Sequence, residues 1–170
     1  MEDVVAGMQA FIDEEFADSE PPEGVTGPSQ LECLDTGPVR RGTVFACASF
    51  PQTAPDFPLD PAGVVAYVTD DSGSAAWVNG TDIPDRTETL FRIYEESPKG
   101  LFCRDLMSPD VETWFSSAGT TGPTGYVLAL VYWSLEGEPD RMDEDLDGVP
   151  CETLFDPDVV SQVLAGGPMP

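Results

Sequence analysis

Three aspartates at alternating positions stand near the C-terminal end of the chain, in the stretch MDEDLDGVPCE from Met142 to Glu152. Calcium takes about six to eight oxygen ligands, and carboxylates at positions 1, 3 and 5 of a tight loop can converge on it. A glycine at position 6 permits the sharp turn, and the carbonyl of position 7 adds an oxygen. The spacing predicts a calcium site whose ligands and turn residue are Asp143, Asp145, Asp147, Gly148 and Val149.

A later glutamate, Glu152, can close this shell with both of its oxygens. It stands at position 10 of the loop, whereas an EF-hand places its glutamate at position 12, so the loop is not an EF-hand. Residue frequencies in the chain give the whole pattern by chance only about once in 30,000 chains of this length. A solvated acidic loop without metal is the alternative, but seven acidic residues within 136–147 would then repel one another with only Arg141 to oppose them.

The charge of the chain restricts its partners. Its 170 residues include 32 acidic and 7 basic side chains, for a net charge of −25. Such a surface repels nucleic acid and anionic lipid and attracts cations and basic proteins. It is also typical of adaptation to high salt. No run of about 18 apolar residues exists, so the sequence predicts no membrane insertion.

Histidine is absent, which removes the usual general base and a common metal ligand. Catalysis by Ser-His-Asp or Cys-His groups and His-ligated zinc are thereby excluded. A hydrolase based on two carboxylates is the enzyme hypothesis that survives. In a chain with 32 acidic residues such pairs carry no information, and we expect the protein not to be an enzyme.

Four cysteines, Cys33, Cys47, Cys103 and Cys151, allow three disulfide pairings, and no C-x-x-C motif is present. Pairing within each half would join Cys33 to Cys47 and Cys103 to Cys151. Two bridges would indicate an oxidising compartment, whereas four free cysteines would fit a cytosolic protein. No signal peptide is visible after Met1, so extracellular or cell-surface localisation implies that it has been removed.

The first half has the pattern of an α+β layer. An apolar stripe over residues 1–16 predicts a helix, and Pro- and Gly-rich turns separate the runs that follow. We expect the helix to pack on a four-stranded antiparallel meander, with Cys33 and Cys47 bridging its first hairpin. The predicted strands are Gln30–Asp35, Thr43–Phe50, Gly63–Thr69 and Ala75–Gly80.

The second half has the pattern of several helices. Apolar spacing and Pro or Gly boundaries predict helical segments near residues 83–96, 99–107, 108–117, 122–137 and 156–167. We therefore expect three parts: a helix-and-sheet region over 1–82, a connecting helix or linker over 83–98, and a mostly helical, disulfide-stapled module over 99–170.

The pattern D-x-D-x-D-G-x-x-C-E resembles the Excalibur domain, an extracellular calcium-binding module of bacterial surface and secreted proteins. The resemblance spans about residues 101–155 and looks like a variant found in actinobacterial secreted proteins, with the apolar helix YVLALVYWSLEG inserted between cysteine and loop. It implies that Asp143, Asp145, Asp147 and Glu152 bind metal and that Cys151 is bonded to Cys103. The first half is similar to small actinobacterial secreted domains of unknown function.

These observations predict a secreted or cell-surface, non-enzymatic binding protein with a structural calcium ion, acting on an unidentified protein or a cell-envelope partner. The alternatives are a metal-free, disulfide-stapled protein and a carboxylate-based hydrolase.

Overall fold

The computed structural model describes residues 2–33, 39–56, 62–80, 99–106 and 121–169. It is a mixed α/β structure with an N-terminal helix, a five-stranded sheet and helices that follow the sheet in sequence. The helices are α1 (Glu2–Asp18), α2 (Cys103–Leu106), α3 (Pro123–Leu135) and α4 (Pro157–Leu164). The strands are β1 (Val25–Cys33), β2 (Val44–Thr53), β3 (Ala62–Val68), β4 (Ala75–Gly80) and β5 (Gly167–Met169).

The sheet has the strand order β1-β2-β3-β4-β5. Its first four strands form the antiparallel meander that the sequence predicts. The fifth strand was not predicted: the chain returns after α4, and β5 pairs in parallel with β4, placing Met169 beside Val78. A residue triplet that contains glycine and proline has no strand signal of its own, so only the pairing with β4 makes it a strand.

Alternating side chains give the sheet two apolar faces. Phe45, Val64 and Trp77 lie on the face that packs against α1. Val65 and Val78 belong to the opposite cluster, together with α3 and α4. In the described part of the chain, the period of two along each strand thus gives three layers, with α1 on one side of the sheet and α3 and α4 on the other.

Helix α3 is the centre of the second cluster, and every residue from Gly125 to Trp133 is buried. It begins with Pro123, whose missing N–H costs nothing in the first turn. It ends at a Schellman motif, in which the N–H of Glu138 donates to the carbonyl of Trp133 and Gly137 has φ +82°. This ending turns the chain sharply toward the acidic loop.

The region after residue 98 is only partly helical. Its described residues include α2, α3, α4 and two single 3₁₀ turns, Asp140–Met142 and Glu152–Leu154, separated by irregular loops and followed by β5. The prediction of a mostly helical module over 99–170 is therefore corrected: its described part is only partly helical. A disulfide and loop contacts hold this part together in place of continuous helix. The helices predicted near 83–96 and 108–117, and the connecting segment 83–98, lie outside the described residues.

Both disulfides are present. Cys33 and Cys47 are direct partners across β1 and β2, and Cys103 of α2 is joined to Cys151 beside the acidic loop. None of the described helices is both long enough and apolar enough to cross a membrane.

Candidate metal site

The three aspartates of the acidic loop converge. One carboxylate oxygen from each of Asp143, Asp145 and Asp147 lies within 4.8 Å of the others, which is close enough for a single cation to contact all three. Asp145 and Asp147 are exposed, whereas Asp143 is buried. The spacing of alternating carboxylates therefore has the geometric outcome that the sequence predicts.

Asp143 is the innermost of the three, with only 5% of its surface exposed. Its Oδ2 accepts a hydrogen bond from the backbone N–H of Gly148 at 2.8 Å. Its Oδ1 is buried and has no hydrogen-bond partner. A buried carboxylate oxygen without a partner is costly, and the exceptions to pairing in folded proteins need an explanation such as a bound ion.

The backbone of the loop is bent by residues in the left-handed region. Leu146 has φ +62° and Gly148 has φ +84°, so the chain reverses between and after the exposed aspartates. The N–H of Val149 donates to Asp147 Oδ1 at 2.8 Å and fixes that carboxylate over the turn. A left-handed leucine costs about 1 kcal/mol, which the surrounding contacts must offset.

The base of the loop is closed by a disulfide and a backbone hydrogen bond. The N–H of Cys151 donates to the Met142 carbonyl at 2.8 Å, joining the two residues that flank the loop. The Cys103 sulfur lies 3.2 Å from the same carbonyl; since this sulfur is oxidised and carries no proton, the approach is a contact and not a hydrogen bond. Residues 143–150 are thus held between two closely spaced ends.

Glu152 lies beside the cluster but is not one of its three members. Partial desolvation raises the pKa of its carboxyl group above the ordinary value, and the negative charges of Asp145, Asp147 and Asp143 add to that rise. The negative charges of the aspartates therefore act on Glu152, whereas its predicted place among the metal ligands stays a prediction.

A buried tyrosine, Tyr126, lies close enough to the acidic loop for the charges of the loop to affect its pKa. Burial raises the pKa of Tyr126, and the charges of Glu152 and Asp147 contribute. Its ring packs against Phe155 with centroids 4.9 Å apart, which agrees with the core role expected for apolar helix residues, but its hydroxyl is buried without a partner. Nothing in the sequence indicates that this hydroxyl lies near the loop.

A network of polar contacts fixes the irregular segment 99–102 that leads into α2. Arg141 pairs with Glu136, and its Nε donates to the Leu101 carbonyl at 3.0 Å. The Gly100 N–H donates to the same glutamate. Arg141 therefore does not simply oppose the acidic stretch, as its position in the sequence suggested; it positions the segment that carries Cys103.

A surface cleft of about 330 Å³ runs along the outer side of the loop. Its lining includes the carboxylates of Asp145 and Glu152, the disulfide between Cys103 and Cys151, and apolar side chains. Phe102 is 44% exposed and Leu154 is 41% exposed, so the cleft presents apolar surface next to carboxylates. A partner could contact both kinds of surface here.

The chain was compared with models of known protein families, with characterised proteins and with solved structures, and no match was found in any of the three.

Proposed function

We propose that this protein is a non-enzymatic binding protein of the extracellular space or cell surface, with a structural calcium site of the Excalibur type in the loop 143–152. The observation that carries the proposal is the unpartnered, buried Oδ1 of Asp143 inside a cluster of three converging carboxylates. A calcium ion would provide that oxygen with a ligand bond and would offset the repulsion among the aspartates.

The proposed ligands are all oxygen atoms. They are carboxylates of Asp143, Asp145, Asp147 and Glu152, and the backbone carbonyl of Val149. An all-oxygen set of high negative charge favours a hard cation, and a flexible shell of more than about six oxygens favours calcium over the strictly octahedral magnesium. Calcium would act here as a structural ion, because the loop joins α3 to α4 and carries the residue that is bonded to α2.

The metal-free alternative is favoured by a separate observation. Several polar groups of the loop already have partners within the protein, including Asp143 Oδ2, Asp147 Oδ1 and the N–H of Cys151. Together with the disulfide, these contacts could keep the loop folded when calcium is absent. The two hypotheses therefore differ in what happens at Asp143 Oδ1 and not in the overall fold.

The compartment is supported by the two disulfides, which fit an oxidising environment. The binding role is supported by the cleft beside the loop, where exposed Phe102 and Leu154 adjoin Asp145 and Glu152. We propose this cleft as the face that contacts a protein or cell-envelope partner.

Calcium titration after chelation tests the proposal, with heat and melting temperature as the two readouts. We expect a binding isotherm and a rise in melting temperature for the wild type. The variant Asp145→Ala is expected to lose both. The matched control is Asp18→Ala, which removes the same charge from an exposed position at the end of α1.

No heat and no change in melting temperature at millimolar calcium would reject the metal site and leave the metal-free alternative. An unchanged response in Asp145→Ala would show that calcium binds elsewhere. An equal loss in Asp18→Ala would show that the response reflects general screening of the acidic surface.

A further inference from the structure

Arg41 lies in the turn before β2, yet its side chain contacts the acidic loop. Its Nη2 donates a hydrogen bond to the Gly148 carbonyl at 2.9 Å, across 107 positions of sequence. The guanidinium also lies against the α-carbon of Gly148, where a methyl group would come within 3.2 Å of Nη2. The N-terminal half of the chain therefore forms one side of the turn that holds the aspartates.

Gly148 links Arg41 to the buried Asp143 through two hydrogen bonds. Its carbonyl is held by Arg41, while its own N–H donates to Asp143 Oδ2 at 2.8 Å. Its φ of +84° is one that side-chain-bearing residues rarely adopt, so the turn depends on a glycine here. Fixing Oδ2 in this way also fixes the direction of Oδ1, the oxygen without a partner.

Hydrogen bonds hold the backbone at Arg41 and Gly42 in place. Its N–H donates to Asp71 Oδ1 at 3.2 Å, in the turn between β3 and β4. The next residue, Gly42, donates to the Val68 carbonyl at 2.9 Å and accepts from Ser134 Oγ of α3 at 2.7 Å. The sheet and α3 therefore hold the arginine at a defined place relative to the loop.

We propose that Arg41 is a positioning residue of the metal site: it holds the Gly148 turn so that Asp143 is preset for a cation. This inference rests on the proposed calcium site. It also assigns to the first half of the chain a part in binding that the loop motif does not include.

Two effects of Arg41 on calcium binding have opposite signs. A positive charge beside the site repels a cation, so charge alone predicts that removing Arg41 tightens binding. Presetting the loop lowers the ordering cost of binding, so positioning predicts that removing Arg41 weakens it. The direction of the change therefore separates the two roles.

The test is calcium titration of the full chain in the wild type, Arg41→Met, Arg41→Lys and Arg40→Met. Arg40 is the matched control, because it is exposed and its hydrogen bonds run through its backbone to Thr43. We expect Arg41→Met to weaken binding by roughly three- to tenfold. Arg41→Lys should restore part of the affinity, since its ammonium group can donate to the Gly148 carbonyl. Arg40→Met should bind as tightly as the wild type or slightly more tightly.

A spectroscopic readout separates positioning from general stability. In the metal-free proteins, the amide resonance of Gly148 should shift in Arg41→Met but not in Arg40→Met, while the two melting temperatures stay equal. If the wild type binds calcium and Arg41→Met binds as tightly as Arg40→Met, the role of Arg41 is rejected and the calcium site stands. If Arg41→Met is unfolded, the folded Arg41→Lys decides: binding weaker than the wild type together with a shifted Gly148 resonance supports the positioning role, and equal or tighter binding rejects it. If the wild type does not bind calcium, both proposals fail together.

Discussion

Two acidic turns in this protein differ in how many hydrogen bonds their aspartate carboxylates accept from the protein. In the β3–β4 turn, Asp70 Oδ1 accepts hydrogen bonds from the Ser72 N–H, the Ser72 hydroxyl and the Ser74 N–H at 2.7–3.0 Å. In the loop after α3, Asp143 has one oxygen bonded to Gly148 and the other buried without a partner. The first turn supplies its own donors, whereas the second leaves one buried acceptor without a donor from the protein.

The pKa shifts of acidic groups in the two turns have opposite directions. Hydrogen bonds, above all from the Ser72 hydroxyl, lower the pKa of Asp70 from its ordinary 3.8 to about 2. Desolvation and acidic neighbours raise the pKa of Glu152. Serines two and four residues after an aspartate stabilise its charge locally. The loop from Asp143 to Glu152 contains no serine, so its charges repel unless a cation binds.

Removing the disulfide beside the second loop should have the largest effect. Loss of Cys103–Cys151, tested as a double serine variant, is expected to cost about 4 kcal/mol from the loop-closure entropy of its 48-residue separation. It should also weaken calcium binding, because the loop ends are then no longer fixed. Thermal unfolding and calcium titration measure the two effects.

The control is the corresponding double serine variant of Cys33 and Cys47, whose separation is 14 residues. We expect it to lose about 3 kcal/mol of stability while its calcium affinity stays unchanged. Equal changes in calcium affinity for the two variants would show that Cys103–Cys151 has no particular relation to the metal loop.

Asp143→Asn should not destabilise the metal-free protein, unlike most substitutions at buried positions. Without calcium we expect no loss of stability, because the change removes a buried charge whose Oδ1 has no partner, while the remaining carbonyl oxygen can accept from Gly148. With calcium at 100 times its dissociation constant, the variant should lack the stabilisation of about 2.7 kcal/mol, or roughly 5–10 °C, that the wild type gains. Melting curves with calcium and with chelator measure both. A large destabilisation in chelator would show that the charge of Asp143 has a partner within the protein.

Glu152→Gln should weaken calcium binding by about tenfold, the loss expected when a charged ligand becomes a neutral one at the edge of the site. It should not lower the melting temperature in chelator at neutral pH. The reason is that a raised pKa means the ionised form is disfavoured in the folded state, so neutralising the group relieves repulsion. Unchanged affinity would remove Glu152 from the proposed ligand set.

Asp70→Asn should have the smallest effect, and it should not depend on calcium. Because the folded-state pKa of Asp70 is depressed, its ionised form stabilises the protein above the ordinary value of 3.8, and that contribution is lost as the pH falls toward about 2. The variant should therefore melt slightly below the wild type at neutral pH, and the difference should shrink as the pH falls through the folded-state pKa of about 2. A difference that stays constant between pH 4 and pH 2 would contradict the assignment.

Local signals in the sequence were sufficient for most of the sheet. Strand β4 has the bounds that were predicted, because an apolar run there is flanked by clear turn residues. Strand β1 begins at Val25 instead of Gln30, since Gly27 and Pro28 look like turn residues but lie in an edge strand with an irregular register. Strand β5 depends on pairing with a distant partner and could not be predicted from its own residues.

The candidate site also combines features that follow from local sequence with features that depend on tertiary packing. The convergence of Asp143, Asp145 and Asp147 is a property of five consecutive residues, so their spacing predicted it. The burial of Asp143 depends on packing around the loop, and the contact of Arg41 joins residues 107 positions apart. Neither leaves a pattern in a single sequence, because each arises only when the sheet and α3 pack together.

The most direct test is the electron density at Asp143 in crystals grown with calcium. We expect an anomalous peak for calcium about 2.3–2.6 Å from Asp143 Oδ1 and from oxygens of Asp145 and Asp147. A water molecule about 2.8 Å from Oδ1, with no anomalous peak among the aspartates, would contradict the proposed metal site.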